Sequence, residues 1–104
     1  MQVTQKQIEI FLIDVKRLAD KETAQYKQCE YRYTVMMGKK YARIVRNLIS
    51  TNNQIVSRAA FGFVDLENGD LLYHNGWAAP KKGARGNILN GTAKYTYSSV
   101  ANLR

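Results

Sequence analysis

The chain opens with one strongly amphipathic helix, and the pattern that follows it is typical of strands and turns. Within residues 4–22, apolar side chains recur at spacings of three and four, which places them on one helix face. They are Ile8, Phe11, Leu12, Val15, Leu18 and Ala19. Thr4, followed three residues later by Gln7, predicts a capping box at the start of this helix. We expect the apolar face to cover one face of a sheet.

Two further apolar residues of the helix, Ile10 and Ile13, lie outside this stripe. One interpretation is a helix with a wide face toward the core. The other is a contact with a partner or a second copy, as in a homo-oligomer.

The helical pattern ends before residue 30, and the residues after it are typical of strands and turns. Tyr31, Tyr33, Val35 and Met37 alternate along a first predicted strand, and a return strand follows Gly38-Lys39 at about residues 40–49. A third strand covers residues 58–64, and Asn68-Gly69 predicts a tight turn into a fourth at 71–73. Residues 31–74 are therefore predicted to form two hairpins of one antiparallel sheet.

The last thirty residues differ in composition from the rest, and within them residues 77–88 have neither a helical nor a strand period. The thirty residues together hold four of the seven glycines, the only proline and the only tryptophan. We expect an irregular Gly-rich region, residues 75–104, with an ordered loop that Trp77 anchors to the core. The whole chain, residues 1–104, is predicted to be one α+β domain, with the helix packed on a sheet of about four strands.

Charge is distributed very unevenly along the chain. Residues 1–30 contain five basic and five acidic side chains, whereas residues 31–64 contain six basic and no acidic ones, and 71–104 contain five basic and no acidic ones. The net charge of +8 thus lies after the helix. Such an excess on a small domain favours a polyanionic partner, either nucleic acid (DNA or RNA) or another polyanion.

Composition argues against several other classes of protein. Cys29 is the only cysteine and His74 the only histidine, so there are too few ligands for a zinc site and no internal disulfide. The single free thiol fits a cytoplasmic location. No apolar run is long enough to span a membrane. His74 is the one candidate for proton transfer at neutral pH, and no nucleophile motif accompanies it, so we expect neither an enzyme nor a cofactor.

Two basic segments are the candidate binding residues. The first is Lys81-Lys82-Gly83-Ala84-Arg85-Gly86, where glycines beside cations leave backbone N–H groups open to a phosphate. The second is the first hairpin, where cations alternate with tyrosines, as a single-stranded nucleic acid requires. The predicted contacts are Lys39, Lys40, Arg43, Lys81, Lys82 and Arg85. A solvated turn in the first case, and a strand with outward arginines in the second, are the alternative interpretations.

Three stretches of the C-terminal part carry a resemblance to other proteins. They are Phe61-Gly-Phe-Val-Asp-Leu-Glu-Asn-Gly-Asp70, Trp77-x-x-Pro80 and Gly83-Ala-Arg-Gly-Asn-Ile88. Over roughly residues 39–104 the chain resembles a group of short proteins encoded by bacteriophages. The resemblance implies an accessory protein in the cytoplasm of the host cell. The group has no established activity, so it assigns no catalytic residue here.

These observations together predict a small basic phage protein that binds nucleic acid through its sheet and the 81–86 segment. Two alternatives use the same basic residues. In one the protein binds and inhibits a host protein, for example one that defends against phage. In the other it sequesters a phosphorylated nucleotide.

Overall fold

The computed structural model describes residues 2–25, 29–77 and 79–101. Along them the chain forms the helix α1 (Gln5–Glu22) and then the strands β1 (Cys29–Met37), β2 (Tyr41–Ser50), β3 (Ile55–Asp65), β4 (Asp70–Asn75) and β5 (Ala79–Asn87). The strands form one antiparallel sheet in the order β1-β2-β3-β4-β5. The predicted α+β class, with a helix packed on an antiparallel sheet, is confirmed.

The helix begins and packs as its sequence predicts. The Thr4 hydroxyl accepts a hydrogen bond from the Gln7 amide at 3.2 Å, and the Gln7 side chain accepts one from the Thr4 amide at 2.8 Å. This capping box satisfies N–H groups that the helix itself leaves open. The buried face consists of Ile8, Phe11, Leu12, Val15 and Ala19. It packs on sheet residues that include Ala42, Ile44, Phe61, Val64 and Leu71.

The same face of the sheet is also covered by the C-terminal segment, residues 92–101. Tyr95 makes edge-to-face ring contacts with Phe11 and Phe61, at centroid distances of 5.2 and 6.3 Å. Val100 is fully buried above Gly62, where a Cβ atom would collide with the Val100 side chain. We call this side of the sheet the closed face and the opposite side the open face.

The fifth strand was not predicted. Residues 79–87, expected to be an irregular loop, pair with β4 and extend the sheet beyond the four strands expected. The pairing has two register shifts, and Gly83 and Gly86 have φ of 99° and 86°. Bulges at such positions interrupt the alternation of side chains, which explains why residues 79–87 show no strand period.

Both predicted hairpins are present, but the turn of the first is Lys39-Lys40, one residue further along the chain than the expected Gly38-Lys39. Gly38 donates a backbone hydrogen bond to the Tyr41 carbonyl at 3.0 Å, which places Lys39 and Lys40 at the tip between β1 and β2. Gly69, with φ of 86°, follows Asn68 in the turn between β3 and β4. The two turns lie at the same end of the sheet, since Tyr41 pairs with Asp65.

Candidate nucleic-acid interface

The open face of β1, β2 and β3 carries three arginines in adjacent strands. The strand register pairs Met36 with Arg43 and Arg43 with Phe63, and it pairs Arg32 with Asn47 and Asn47 with Arg58. Residues paired in this way point to the same side of a sheet. α1 and segment 92–101 lie on the closed face. The side chains of Arg32, Arg43 and Arg58 therefore lie on the opposite, open face.

Arg43 lies at the centre of this surface, between two aromatic rings. Its guanidinium carbon is 5.0 Å from the centroid of the Trp77 ring and 5.8 Å from that of Phe63. Cations at this distance are attracted to the ring faces. Phe63 is buried, and the contact with Trp77 connects the β4–β5 turn to the open face.

The charge of Arg43 has no anionic partner among the residues that the structure describes. Its Nη1 donates only to the Met36 sulfur at 3.7 Å, a weak acceptor, and its Nε is buried without a hydrogen-bond partner. The ion pairs of the described residues involve Lys16, Arg17 and Arg32 instead. A partly desolvated cation without a carboxylate is suited to an external anion.

Trp77 was expected to be a buried anchor, and the structure places it differently. Trp77 is 44% exposed, and its ring lies beneath the Arg43 guanidinium. The ring therefore extends the open face toward solvent. An aromatic ring beside a cation is the combination on which bases of single-stranded nucleic acid stack.

A groove of about 320 Å³ joins Arg43 to the hairpin tip. Its lining residues are Met36, Met37, Gly38, Lys39, Lys40, Tyr41, Arg43 and Phe63. Lys40 also lies over the Tyr41 ring, with Nζ 5.4 Å from the centroid. The structure thus brings three of the six predicted contacts, Lys39, Lys40 and Arg43, into one groove.

A second groove of about 320 Å³ lies on the same face, nearer the β2–β3 turn. It is lined by Arg32, Thr34, Asn47, Ile49, Asn53, Ile55 and Arg58. The buried Asn47 organises it: its Nδ2 donates to the Arg32 carbonyl at 3.2 Å, and its Oδ1 accepts from Arg58 Nε at 3.2 Å. Asn47 and Arg58 were not among the predicted site residues. The available signal was a polar residue between Val45 and Ile49 in the alternation of β2.

The other three predicted contacts do not form a common site. Arg85 is 4% exposed, and its Nε donates to the Ala101 carbonyl at 3.2 Å while Nη1 donates to the Lys82 carbonyl at 3.1 Å. It therefore holds the C-terminal segment in place and is not presented to a ligand. Lys81 lies 5.8 Å from the centroid of the Tyr73 ring, and Lys82 is exposed on β5.

Arg46, a further cation of the first hairpin, lies on the closed face. Its Nη1 donates to the Ser98 carbonyl at 2.6 Å, and its guanidinium is 5.3 Å from the centroid of the Tyr31 ring. The hairpin cations are therefore divided between the faces: Arg43 belongs to the open face and Arg46 fastens the C-terminal segment.

The described residues contain no group of three or more His, Cys, Asp or Glu side chains placed to hold a metal ion. The His74 ring stacks on Tyr73 at 4.4 Å, and its Nδ1 is buried without a partner among those residues. No helix of the described part of the chain is long and apolar enough to cross a membrane.

Comparison with known proteins gives one match. Residues 2–102 match the model described as Family of unknown function (DUF7717). No curated protein and no solved structure matches the chain.

Proposed function

The chain belongs to this family of unknown function, DUF7717, and we propose that it binds single-stranded nucleic acid through the open face of its sheet. The observation that carries the proposal is Arg43, whose guanidinium lies over the rings of Phe63 and Trp77 while its Nε has no partner among the described residues. Lys39 and Lys40 lie in the same groove. This surface supplies charge for phosphates and a ring for bases.

The distribution of the cations favours a polymer over a single nucleotide. Arg43 lines the groove at the hairpin tip and Arg58 lines the second groove, whose Asn47 lies four residues further along β2. At about 3.3 Å per residue, these positions on β2 are about 13 Å apart. One phosphate group occupies one of these grooves, whereas a strand of several nucleotides contacts both.

The surface also favours a single strand over a duplex. Arg43 and Trp77 present flat groups, and Met36 and Met37 at the groove are 46% and 41% exposed. Flat and apolar groups contact base faces, which a duplex keeps stacked on one another. The proposed function is binding, without a catalytic step. The phage origin and the host cytoplasm stay predictions.

The decisive measurement is binding to labelled oligonucleotides across a salt series. We expect single strands of DNA or RNA to bind more tightly than a duplex of equal length, with affinity falling steeply as salt rises. Equal affinity for single strands and duplex would show that stacking on bases does not contribute to binding. Absence of binding at low salt would contradict the proposal.

The two alternatives are tested by what co-purifies with the protein from expressing cells. Nucleic acid in the purified sample, detected by its absorbance ratio, agrees with the proposal. A host protein on a gel, or a phosphorylated nucleotide in a mass spectrum, with no oligonucleotide binding, would assign the open face to that partner instead.

A further inference from the structure

The outer edge of β1 is long and regular. β1 is the first strand of the sheet, so among the described residues only one of its sides is paired, with β2. That pairing runs from Cys29 to Met37 without a register shift, and the strand contains neither proline nor glycine. An edge of this kind offers a row of free N–H and C=O groups to another strand.

The hydrogen-bond pattern identifies which amides point outward. The Gly38 amide donates to the Tyr41 carbonyl, inside the hairpin. In an antiparallel pair the inward and outward positions alternate from there, so the amides of Tyr31, Tyr33 and Val35 point away from β2.

The opposite edge of the sheet, β5, is protected against such pairing. Pro80 lacks an amide hydrogen, and two register shifts interrupt the pairing of β5 with β4. Lys81 and Lys82 add charge on this strand. Proline, bulges and lysines are the features by which sheet edges avoid association. β1 has none of these features. Its edge can therefore pair with another strand, whereas the edge of β5 resists such pairing.

Exposed apolar side chains lie beside the β1 edge. Ile10 and Ile13 of α1 are 56% and 50% exposed, and a spacing of three makes them neighbours on the helix surface. Ile13 lines a groove of about 410 Å³ between α1 and β1, together with Leu12, Tyr33 and Arg32. The exposure of Ile10 and Ile13 excludes the core-facing interpretation of these residues and retains the contact interpretation.

Charge indicates what covers this surface. The helix carries four basic and four acidic side chains, whereas the chain as a whole has a net charge of +8. Two molecules of like charge associate best where that charge is absent, so the neutral α1–β1 side suits a second copy. A strongly charged partner finds no matching excess there.

We propose that two copies of the chain associate through β1, antiparallel about a two-fold axis, to form one continuous sheet from the two five-stranded sheets. Ile10 and Ile13 of the two helices then contact each other above the paired strands. With the two-fold axis at Tyr31, Glu30 of each copy lies opposite Arg32 of the other copy. The Glu30–Arg32 ion pair, 2.8 Å long within one chain, is then accompanied by two such pairs across the interface. An axis at Arg32 is disfavoured because it places like charges opposite each other.

The test is the mass of the protein in solution, without nucleic acid. Light scattering after size exclusion should give twice the chain mass of 11.9 kDa at high protein concentration. The double variant Ile10→Glu/Ile13→Glu should be monomeric and folded. The matched control is Ile55→Glu/Val56→Glu, which changes side chains that are 57% and 60% exposed at the start of β3 and should leave the dimer intact. A monomeric wild type, or a dimer that only the control disrupts, would overturn the proposal.

Hydrogen exchange tests the strand pairing itself. The outward amides of Tyr31 and Tyr33, which lie within the residues paired about an axis at Tyr31, should exchange slowly in the dimer and fast in the Ile10→Glu/Ile13→Glu monomer. The inward amides of Arg32 and Thr34 should be protected in both. A dimer in which the outward amides exchange fast would contradict pairing through β1. Because no oligonucleotide is present, these results are independent of the proposed function.

Discussion

Arg43 owes its suitability for binding to the shape of its side chain as well as to its charge. A guanidinium group is flat, so it can stack between the rings of Phe63 and Trp77 and still direct N–H groups outward from its edge. A lysine ammonium at this position would keep the charge and lose the stack. The residue therefore connects the two kinds of contact, with phosphates and with bases.

We expect Arg43→Ala to weaken single-strand binding by about tenfold or more, which corresponds to about 1.4 kcal/mol. Arg43→Lys should give an intermediate affinity, because it restores charge without the planar stack. Fluorescence anisotropy with a labelled oligonucleotide measures both. Lys82→Ala is the control, since Lys82 is exposed on β5 and lies outside the groove of Arg43. If Arg43→Ala bound as the wild type does, Arg43 would not belong to the interface.

Trp77 provides a direct optical signal, because it is the only tryptophan. With 44% of its side chain exposed, its emission in the folded protein should resemble that of a partly hydrated indole. Stacking of a base should quench it, and Trp77→Ala should cost about 1–3 kcal/mol of binding free energy. A blue-shifted emission that oligonucleotide leaves unchanged would instead identify Trp77 as a structural residue.

At the scale of secondary structure, the sequence predicts those elements whose pattern is regular. The helix follows from its 3.6-residue period, β1 from its alternation, and the β3–β4 hairpin from the turn residues Asn68-Gly69. β5 could not be predicted in this way, because its bulges disrupt the alternation.

The candidate site was predicted only in part. Lys39, Lys40 and Arg43 share a groove, whereas the contact of Trp77 and the burial of Arg85 depend on how distant segments pack.

Leu12 tests the packing of the helix on the closed face. Its side chain is 6% exposed within the main core cluster, so Leu12→Ala should lower the free energy of unfolding by about 2–5 kcal/mol. The adjacent Ile13 is 50% exposed, and Ile13→Ala should change it by less than about 0.5 kcal/mol in the monomer. Urea denaturation at low protein concentration measures both. Equal effects would show that the helix face is assigned incorrectly.

Glu30 connects β1 to α1 and makes stability depend on pH. Hydrogen bonds from Arg32 at 2.8 Å and Lys16 at 2.9 Å lower the pKa of its carboxyl from 4.5 to about 2. A lowered pKa stabilises the fold above the unfolded value, and this stabilisation is lost as pH falls from about 4.5 toward 2. Glu30→Gln should therefore flatten the acid limb of a plot of unfolding free energy against pH.

The control for this prediction is Glu67→Gln. The Glu67 carboxylate forms no ion pair within the described ranges, so its replacement should leave the acid limb as in the wild type. If Glu30→Gln and the wild type lost stability in parallel, the ion pairs of Glu30 would make no contribution in solution.

For the whole molecule, the separation of charge assigns different surfaces to different partners. The neutral α1–β1 side is where a second copy meets the least repulsion, and the open face holds cations that have few acidic neighbours. Pairing through β1 places the two open faces on the same side of the continuous sheet, since residues opposite each other in paired strands point the same way. The two proposals are thus compatible, and the dimer would offer one strand of nucleic acid a longer surface.

Two triple variants separate a defined interface from bulk charge. Lys39→Ala/Lys40→Ala/Arg43→Ala removes the cations of the hairpin groove, and Lys6→Ala/Arg17→Ala/Lys21→Ala removes three exposed cations of the helix. Both lower the net charge by three.

Each phosphate contact on a single strand contributes about 0.7 to the slope of log affinity against log salt. The first variant should therefore reduce that slope by up to about 2. The second should leave the slope nearly unchanged, because the helix lies on the closed face. Equal reductions would mean that total charge alone attracts the nucleic acid, and the open face would then have no particular role.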